Sequence, residues 1–454
     1  MKYVVSYCSL LLLSLPAHAD RFADAAPEVL SRYLQVDTVN PPGNETRAVK
    51  FLAAIFDKAG IAYETAESAP GRGNIWARLP GGDEPALVLL HHMDVVPADE
   101  EFWQVPPLSG DIKDGYVWGR GAVDMKGLGI TQLQAFLALK ASGKKLNRDV
   151  IYLATADEEA GGYFGAGWMV EHKPELFKNV GFLINEGGSG QQVGDKAVFK
   201  IQSTEKVPLW LRLTATDKPG HGSSPRATSA VNRILRAGNR IADTQFQRRL
   251  VPPVRDMLVE SADLYQGKLA EQMKNVSESI NDESFVSGLR LEEPGTAALL
   301  SNTCSITRLE GSSKINVVPP TASMELDCRL LPDQDPQMFI LDLITIVNDP
   351  NIEIAKILGF SPAVSSTDTP LYRSLTKTIQ KHFKGAKIIP SVSTGFTDSH
   401  FFRDLGIVSY GFAPFFFADN EETGIHGNDE RISVKNMVNG TEVMIDFLTD
   451  FAVK

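Results

Sequence analysis

Between residues 91 and 186, apolar runs repeatedly end in an acid or an imidazole. In order the pieces read LLHHMDVVP, GRGAVDMKG, ATADEEAGG and INEGG; a fifth, TGIHGNDE, lies near the C-terminus. Such runs read as strands buried on both faces, the pattern of a parallel sheet covered by helices. In sheets of that kind ligands gather beyond the carboxyl ends of the strands. The groups His92, Asp124, Glu159, Glu186 and His426 would suffice for two metal ions sharing one carboxylate.

The rest of the chain supports an α/β fold. Residues 26–60 read as a helix broken at VNPPGNE and a second helix ended by Gly60. NIWARLP, ALVLLHHMD, DVIYLATADEE and VGFLINEGG read as strands, and MKGLGITQLQAFLALKASG as an amphipathic helix stopped near Gly143. The pattern changes near residue 205. There KVPLWLRLTATD alternates as a strand, ATSAVNRILRAGNRIAD reads as a helix, and a long polar helical stretch fills about 245–295. Two cysteine-bearing strands, the helix DPQMFILDLITIVND and the strand NIEIAKIL complete a β-α-(insert)-β-β-α-β order, that of an open-faced sandwich. The expected organisation is a catalytic domain over 20–204 and 361–454, split by an inserted α+β lid domain over 205–360. Two domains also suit a chain of 454 residues.

The ends and the charge narrow the setting. MKYVVSYCSLLLLSLPAHAD has a basic start, an apolar run and an Ala17-His18-Ala19 site, the pattern of a signal peptide cleaved after Ala19. The run is short of the ~20 residues that a spanning helix needs. The expectation is an exported protein, periplasmic or secreted, without a membrane segment after cleavage. Its remaining cysteines, Cys304 and Cys328, lie in strands that would pair antiparallel about KINVVPP, nearly opposite each other, so a disulfide is expected. The net charge of −11 argues against a nucleic-acid partner.

Each motif residue has an ordinary reading. Asp124 alone is a helix N-cap, His92 a core histidine, and Glu158-Glu159 two surface acids. Their joint placement at strand ends is what favours chemistry. With Glu159 as ligand, Glu158 would accept the proton of an attacking water, and Asp94 would orient the His92 ring. His221, in DKPGHGSSP, reads on its own as a loop histidine.

The ordered set HMDVVP, WGRGAVDMKG, DEEAGG, NEGG, GHGSSP, NVVPP…DCR, GFTDSHFF and IHGNDE resembles a zinc metallopeptidase family. That family contains aminoacylase, glutamate carboxypeptidase, succinyl-diaminopimelate desuccinylase and carboxypeptidase S. The resemblance covers the mature chain. It implies two Zn²⁺ ions, one on His92 and Glu186 and one on Glu159 and His426, bridged by Asp124; Co²⁺ or Mn²⁺ are acceptable substitutes. It also implies a cis peptide after Asp124, Glu158 as general base, and His221 supporting the oxyanion from a lid that is often a dimerisation domain. A homodimer through the lid is therefore implied, unless the long insert covers that surface. Asn316, Arg329, Gly395, Thr397 and His400 match substrate-side positions. His400 stands where many members carry arginine, leaving Arg403 as the nearby cation. The insert resembles that of the carboxypeptidase S-like and N-fatty-acyl-amino-acid hydrolase branches.

The resulting expectation is an exported two-zinc hydrolase of a peptide or N-acyl-amino-acid bond next to a free carboxylate. The alternatives are a dipeptidase or aminopeptidase-type exopeptidase and, in a different class, a catalytically silent periplasmic binding protein.

Overall fold

The computed structural model describes residues 20–418, 421 and 423–454; the expected signal peptide lies outside the described residues. Two helices open the described chain, α1 (Asp20–Leu34) and α2 (Thr46–Ala59), the second closed by Gly60 in the left-handed conformation at φ 63°. The strands that follow are β1 (Tyr63–Glu67), β2 (Gly73–Leu79) and β3 (Glu84–His92). Helix α3 (Lys126–Ser142) leads to β4 (Arg148–Thr155), β5 (Val180–Asn185), β6 (Gly190–Val193) and β7 (Lys196–Glu205).

After one intervening residue comes β8 (Val207–Thr216), followed by α4 (Ala230–Asp243) and, within the polar stretch, α5 (Pro252–Ser261). Strands β9 (Thr303–Glu310) and β10 (Thr321–Leu330), helix α6 (Pro336–Val347) and β11 (Ile352–Gly359) come next. Helix α7 (Pro370–His382), β12 (Lys387–Ser393), β13 (Val408–Gly411), β14 (Phe416–Phe417) and α8 (Val434–Ala452) end the chain.

The large sheet runs β1-β2-β4-β3-β5-β13-β7-β6-β14, with β12 beside β7. It is mixed: β4, β3, β5 and β13 are mutually parallel at its centre, while β1–β2, β2–β4, β13–β7 and β6–β7 are antiparallel. The parallel centre matters for function. His92 pairs in register with Thr155, and Leu89 with Ile184, so β3, β4 and β5 finish at nearly the same level.

Helix α3 differs from the amphipathic expectation. Every residue from Lys126 to Leu139 is buried, because α1 and α8 pack over the face that would otherwise meet water. Even Lys126 is enclosed, its ammonium donating to the carbonyl of Val36 at 2.8 Å.

The smaller sheet is antiparallel throughout, in the order β9-β10-β8-β11. Alternation does the work here: Leu209, Leu211 and Leu213 of β8 point to one face, where Ile234 of α4 and Phe339 and Leu343 of α6 cover them. Cys304 lies directly opposite Cys328 in the β9–β10 ladder, and the two form a disulfide.

The helical stretch, placed in sequence with the smaller unit, packs on the large sheet instead. Val254 and Leu258 of α5 share a core with Val198 of β7 and with Ile389 and Val392 of β12. Its apolar side found the sheet edge that α1, α3 and α8 leave uncovered. Replacing the fully buried Leu258 by Ala should therefore cost about 2–5 kcal/mol through the cavity left behind. Hydrogen exchange should then show lost protection in α5 and β12 with β9 and β10 unchanged; equal loss in β9 and β10 would mean that the stretch is anchored to the smaller sheet.

Candidate active site

Three strand ends and two loops build the site. β3 ends at His92, β4 runs into Asp157-Glu158-Glu159, and β5 into Glu186. Asp124 arrives on the loop before α3, and the Asp124–Met125 peptide is cis. His426 comes from near the C-terminus. The short strand Arg431–Ser433 pairs with Tyr116–Trp118, just upstream of Asp124, which brings the two loops side by side.

The carboxylate of Asp124 lies between two imidazoles. One oxygen is 3.2 Å from Nε2 of His92 and the other 3.1 Å from Nε2 of His426. Glu186 reaches the first ring at 3.6 Å and Glu159 the second at 3.3 Å. Two donor groups result, His92-Asp124-Glu186 and Asp124-Glu159-His426, the atoms of each within 4.8 Å of one another.

The electrostatics of this cluster call for cations. Burial, opposed by the His92 ring, pushes Glu186 up to about 7. Burial also raises Glu159, and one of its oxygens is enclosed without a partner. His426 is pushed up to about 10 by its hydrogen bonds to Asp124 and Glu159. Carboxylates crowded this closely out of water are costly unless positive charge joins them. Imidazole nitrogen and carboxylate oxygen are the donors that zinc takes, so the residues present fit a pair of such ions.

A second layer holds these groups. Nδ1 of His92 lies 3.0 Å from the carbonyl of Asp94, which turns Nε2 toward Asp124. The Asp94 carboxylate accepts from the backbone N–H groups of Glu158 and Glu159 at 3.1 and 3.2 Å and from Asn40 at 2.7 Å. Arg72 ties Glu45 (2.8 Å) to Asp157 (2.6 Å), bracing the turn before Glu158. Buried Glu430 accepts from the N–H groups of Gly121, Val123 and Asp124 at 2.9–3.0 Å and pairs with Arg120 at 2.7 Å.

Glu158 is buried and binds neither imidazole. Desolvation, then Glu186, drive its proton affinity well above the ordinary carboxylate range. Beside it lies Asp398, likewise buried and raised by desolvation, with Thr155 donating to it at 3.1 Å.

The remaining sequence-selected residues fall into two groups. His221 and Asn316 come together: the pair Gly220-His221 bonds to Val317-Val318, and the N–H of Gly222 donates to Asn316. His221 is exposed. Ser223 donates its N–H to Nδ1 at 3.1 Å, so a neutral ring carries its proton on Nε2. Arg329 is gripped by Asp327 through Nε (2.7 Å) and Nη2 (3.1 Å), lies over Phe396, and has Nη1 unpartnered among the described residues. Gly395 is exposed beside Phe396.

Thr397 and His400 flank Asp398 and Ser399 and are buried where the chain crosses between the two sheets. Thr397 donates to Glu205, and His400 stacks on Phe360 at 3.5 Å. Arg403 is buried, paired with Glu205 at 2.9 Å, and donates through Nη2 to the carbonyl of Ser409 at 3.2 Å.

Asn40, Glu45, Arg72, Asp398 and Glu430 escaped the sequence reading. Asp398 and Glu430 stood inside quoted motifs, and the VNPPGNE break contains Asn40 and Glu45; only Arg72 had no signal.

Known proteins resemble this chain in sequence and in fold. Residues 88–450 match the family described as peptidase family M20/M25/M40. The N-fatty-acyl-amino acid synthase/hydrolase PM20D1 of Xenopus tropicalis is 32% identical over 367 residues, covering 78% of this chain and 71% of that protein. Aminoacylase-1 of Sus scrofa is 26% identical over 428 residues, covering 93% and 94%. In fold, an M20 family metallo-carboxypeptidase of Sulfolobus solfataricus superposes with a TM-score of 0.74 at 20% identity, over 93% of this chain and 98% of that one. On the span of the family match and the relative at 32% identity, the chain belongs to peptidase family M20/M25/M40, and it is a hydrolase of the peptidase and aminoacylase type.

Proposed function

We propose that the chain is an exported two-zinc amidohydrolase that cleaves an N-acyl amino acid, releasing an amino acid with a free carboxylate. The observation that carries this reading is the pair of donor groups sharing Asp124. His92 and Glu186 would hold one ion, Glu159 and His426 the other. Bound zinc would polarise the scissile carbonyl and acidify the attacking water.

The protein's own groups do the rest. Glu158 takes the proton of the attacking water and passes it to the leaving nitrogen; it is buried and bound to neither imidazole, which leaves its carboxylate for that exchange. Asp94 fixes the His92 ring and ties down the backbone of Glu158 and Glu159. Nε2–H of His221 is an outward-facing donor for the developing oxyanion when the smaller unit closes as a lid. Nη1 of Arg329, enclosed and without a partner among the described residues, would donate to the substrate carboxylate, with Asp327 holding the guanidinium in plane.

Glu158→Gln should lower kcat by about 10²–10⁴ with metal content by atomic absorption unchanged; loss of metal would transfer the ligand role from Glu159 to Glu158. Arg329→Ala should raise KM for substrates with a free carboxylate about 10- to 100-fold, as expected for a charge-assisted hydrogen bond of roughly 1.5–3 kcal/mol. An equal effect on carboxamide-capped substrates would remove Arg329 from that role. Zinc-loaded enzyme should hydrolyse N-acyl amino acids faster than free dipeptides. The reverse order would favour the dipeptidase reading, and no turnover with well under one metal per chain would favour a silent binding protein.

A further inference from the structure

On the helical face of the large sheet, α1, α2 and α3 enclose a groove of about 840 Å³. Its floor is apolar: Phe22 and Val29 from α1, Phe51 and Ile55 from α2, and Leu137 from α3. Its rim is cationic, with Arg21 and Arg32 of α1, Lys58 of α2 and Lys140 of α3. No acid lines it, although the chain carries a net charge of −11 and α1 and α2 contain Asp24, Glu28 and Asp57. Among the described residues none of the four rim cations has an ion-pair partner within 4.0 Å. The floor side chains do not protrude; none ranks among the exposed large hydrophobics.

These features select an occupant. A concave apolar floor takes a flexible hydrocarbon chain, whereas a membrane surface or a protein partner would meet protruding side chains. Four cations without an ion-pair partner among the described residues call for a negative head group, which attracts them more strongly than a neutral one does. The groove follows α1 from Arg21 to Arg32, roughly 16 Å at the rise of an α-helix, which is room for an extended chain of about twelve carbons. None of its lining residues belongs to the metal cluster, the lid or the strand ends.

We propose that this groove is a second ligand site, separate from the active centre, for a single-chain amphipathic anion of the fatty-acid class. The acyl chain lies along Val29, Phe51 and Ile55, and the carboxylate pairs with the rim arginines and lysines. The residues before Asp20 are apolar too, but their only charge is Lys2, which this rim repels.

Calorimetric titration of the zinc-loaded protein with monomeric dodecanoate tests the site, with dodecanol and dodecylammonium as matched controls. Dodecanoate should bind at least tenfold more tightly than either. The double variant Arg32→Glu/Lys140→Glu and the groove-filling Ala54→Trp should each weaken it at least tenfold, while turnover of an N-acetyl amino acid stays unchanged. Undiminished binding to both variants would place the ligand in the active centre and overturn the proposal. So would binding confined to phosphatidylglycerol vesicles, which would make the face a membrane contact. Dodecanoate binding by protein beginning at Asp20 but not by the full chain would give the groove to residues 1–19, again against it. Because N-acetyl turnover is read separately, loss of the site is distinguishable from failure of the hydrolase reading.

Discussion

Asp124 has one carboxylate oxygen against His92 and the other against His426, and much of the structure is arranged to keep it there. A side chain shared between two imidazoles from opposite ends of the chain tolerates little drift. The loop that carries it is fastened by Glu430, whose carboxylate takes three of the loop's N–H groups. Glu430 stands four residues after His426, so one C-terminal segment provides both a ring beside Asp124 and the clamp on its backbone. Pairing of Arg431–Ser433 with Tyr116–Trp118 docks that segment.

Behind the acids lies a buried polar network that determines where Glu158 can point. Asp94 takes N–H groups from Glu158 and Glu159, Asn40 donates to Asp94, and Arg72 joins Glu45 to Asp157. Removing one partner of a buried charge pair typically costs about 3–5 kcal/mol, so the members depend on one another. Asp157 adopts φ 74°, and that local turn lets two adjacent glutamates leave the strand in different directions. One joins the imidazole cluster. The other stays apart from it with its proton affinity raised.

The crossing between the two sheets is likewise polar and closed. Glu205 receives Gln202, Thr397 and Arg403, and the next residue, Lys206, donates to the carbonyls of Ala298 and Ser301 and the hydroxyl of Thr303. His400 fills the apolar side against Phe360. His400 therefore bears on the junction between the sheets, and Arg329, held by Asp327, keeps Nη1 without a partner among the described residues.

Much of this was legible in one dimension because local patterns carry it. Apolar runs ending in His92, Glu158-Glu159 and Glu186 dictated buried strands with acids at their carboxyl ends, and alternation around Cys304 and Cys328 dictated a cross-strand pair. Positions whose meaning depends on what packs over them were not legible. α3 carries polar residues yet is buried all round, since α1 and α8 cover it; the helical stretch settles on the large sheet because an uncovered edge was there. Arg72 and Glu430 have no periodicity to betray them, as their partners lie far away in sequence. The sequence by itself determined the kind of chemistry, because donor types and strand-end spacing are local properties. Which acid joins the imidazole cluster, how each arginine is paired and where the apolar groove opens were decided only by tertiary packing, since each depends on the neighbours that folding supplies or withholds.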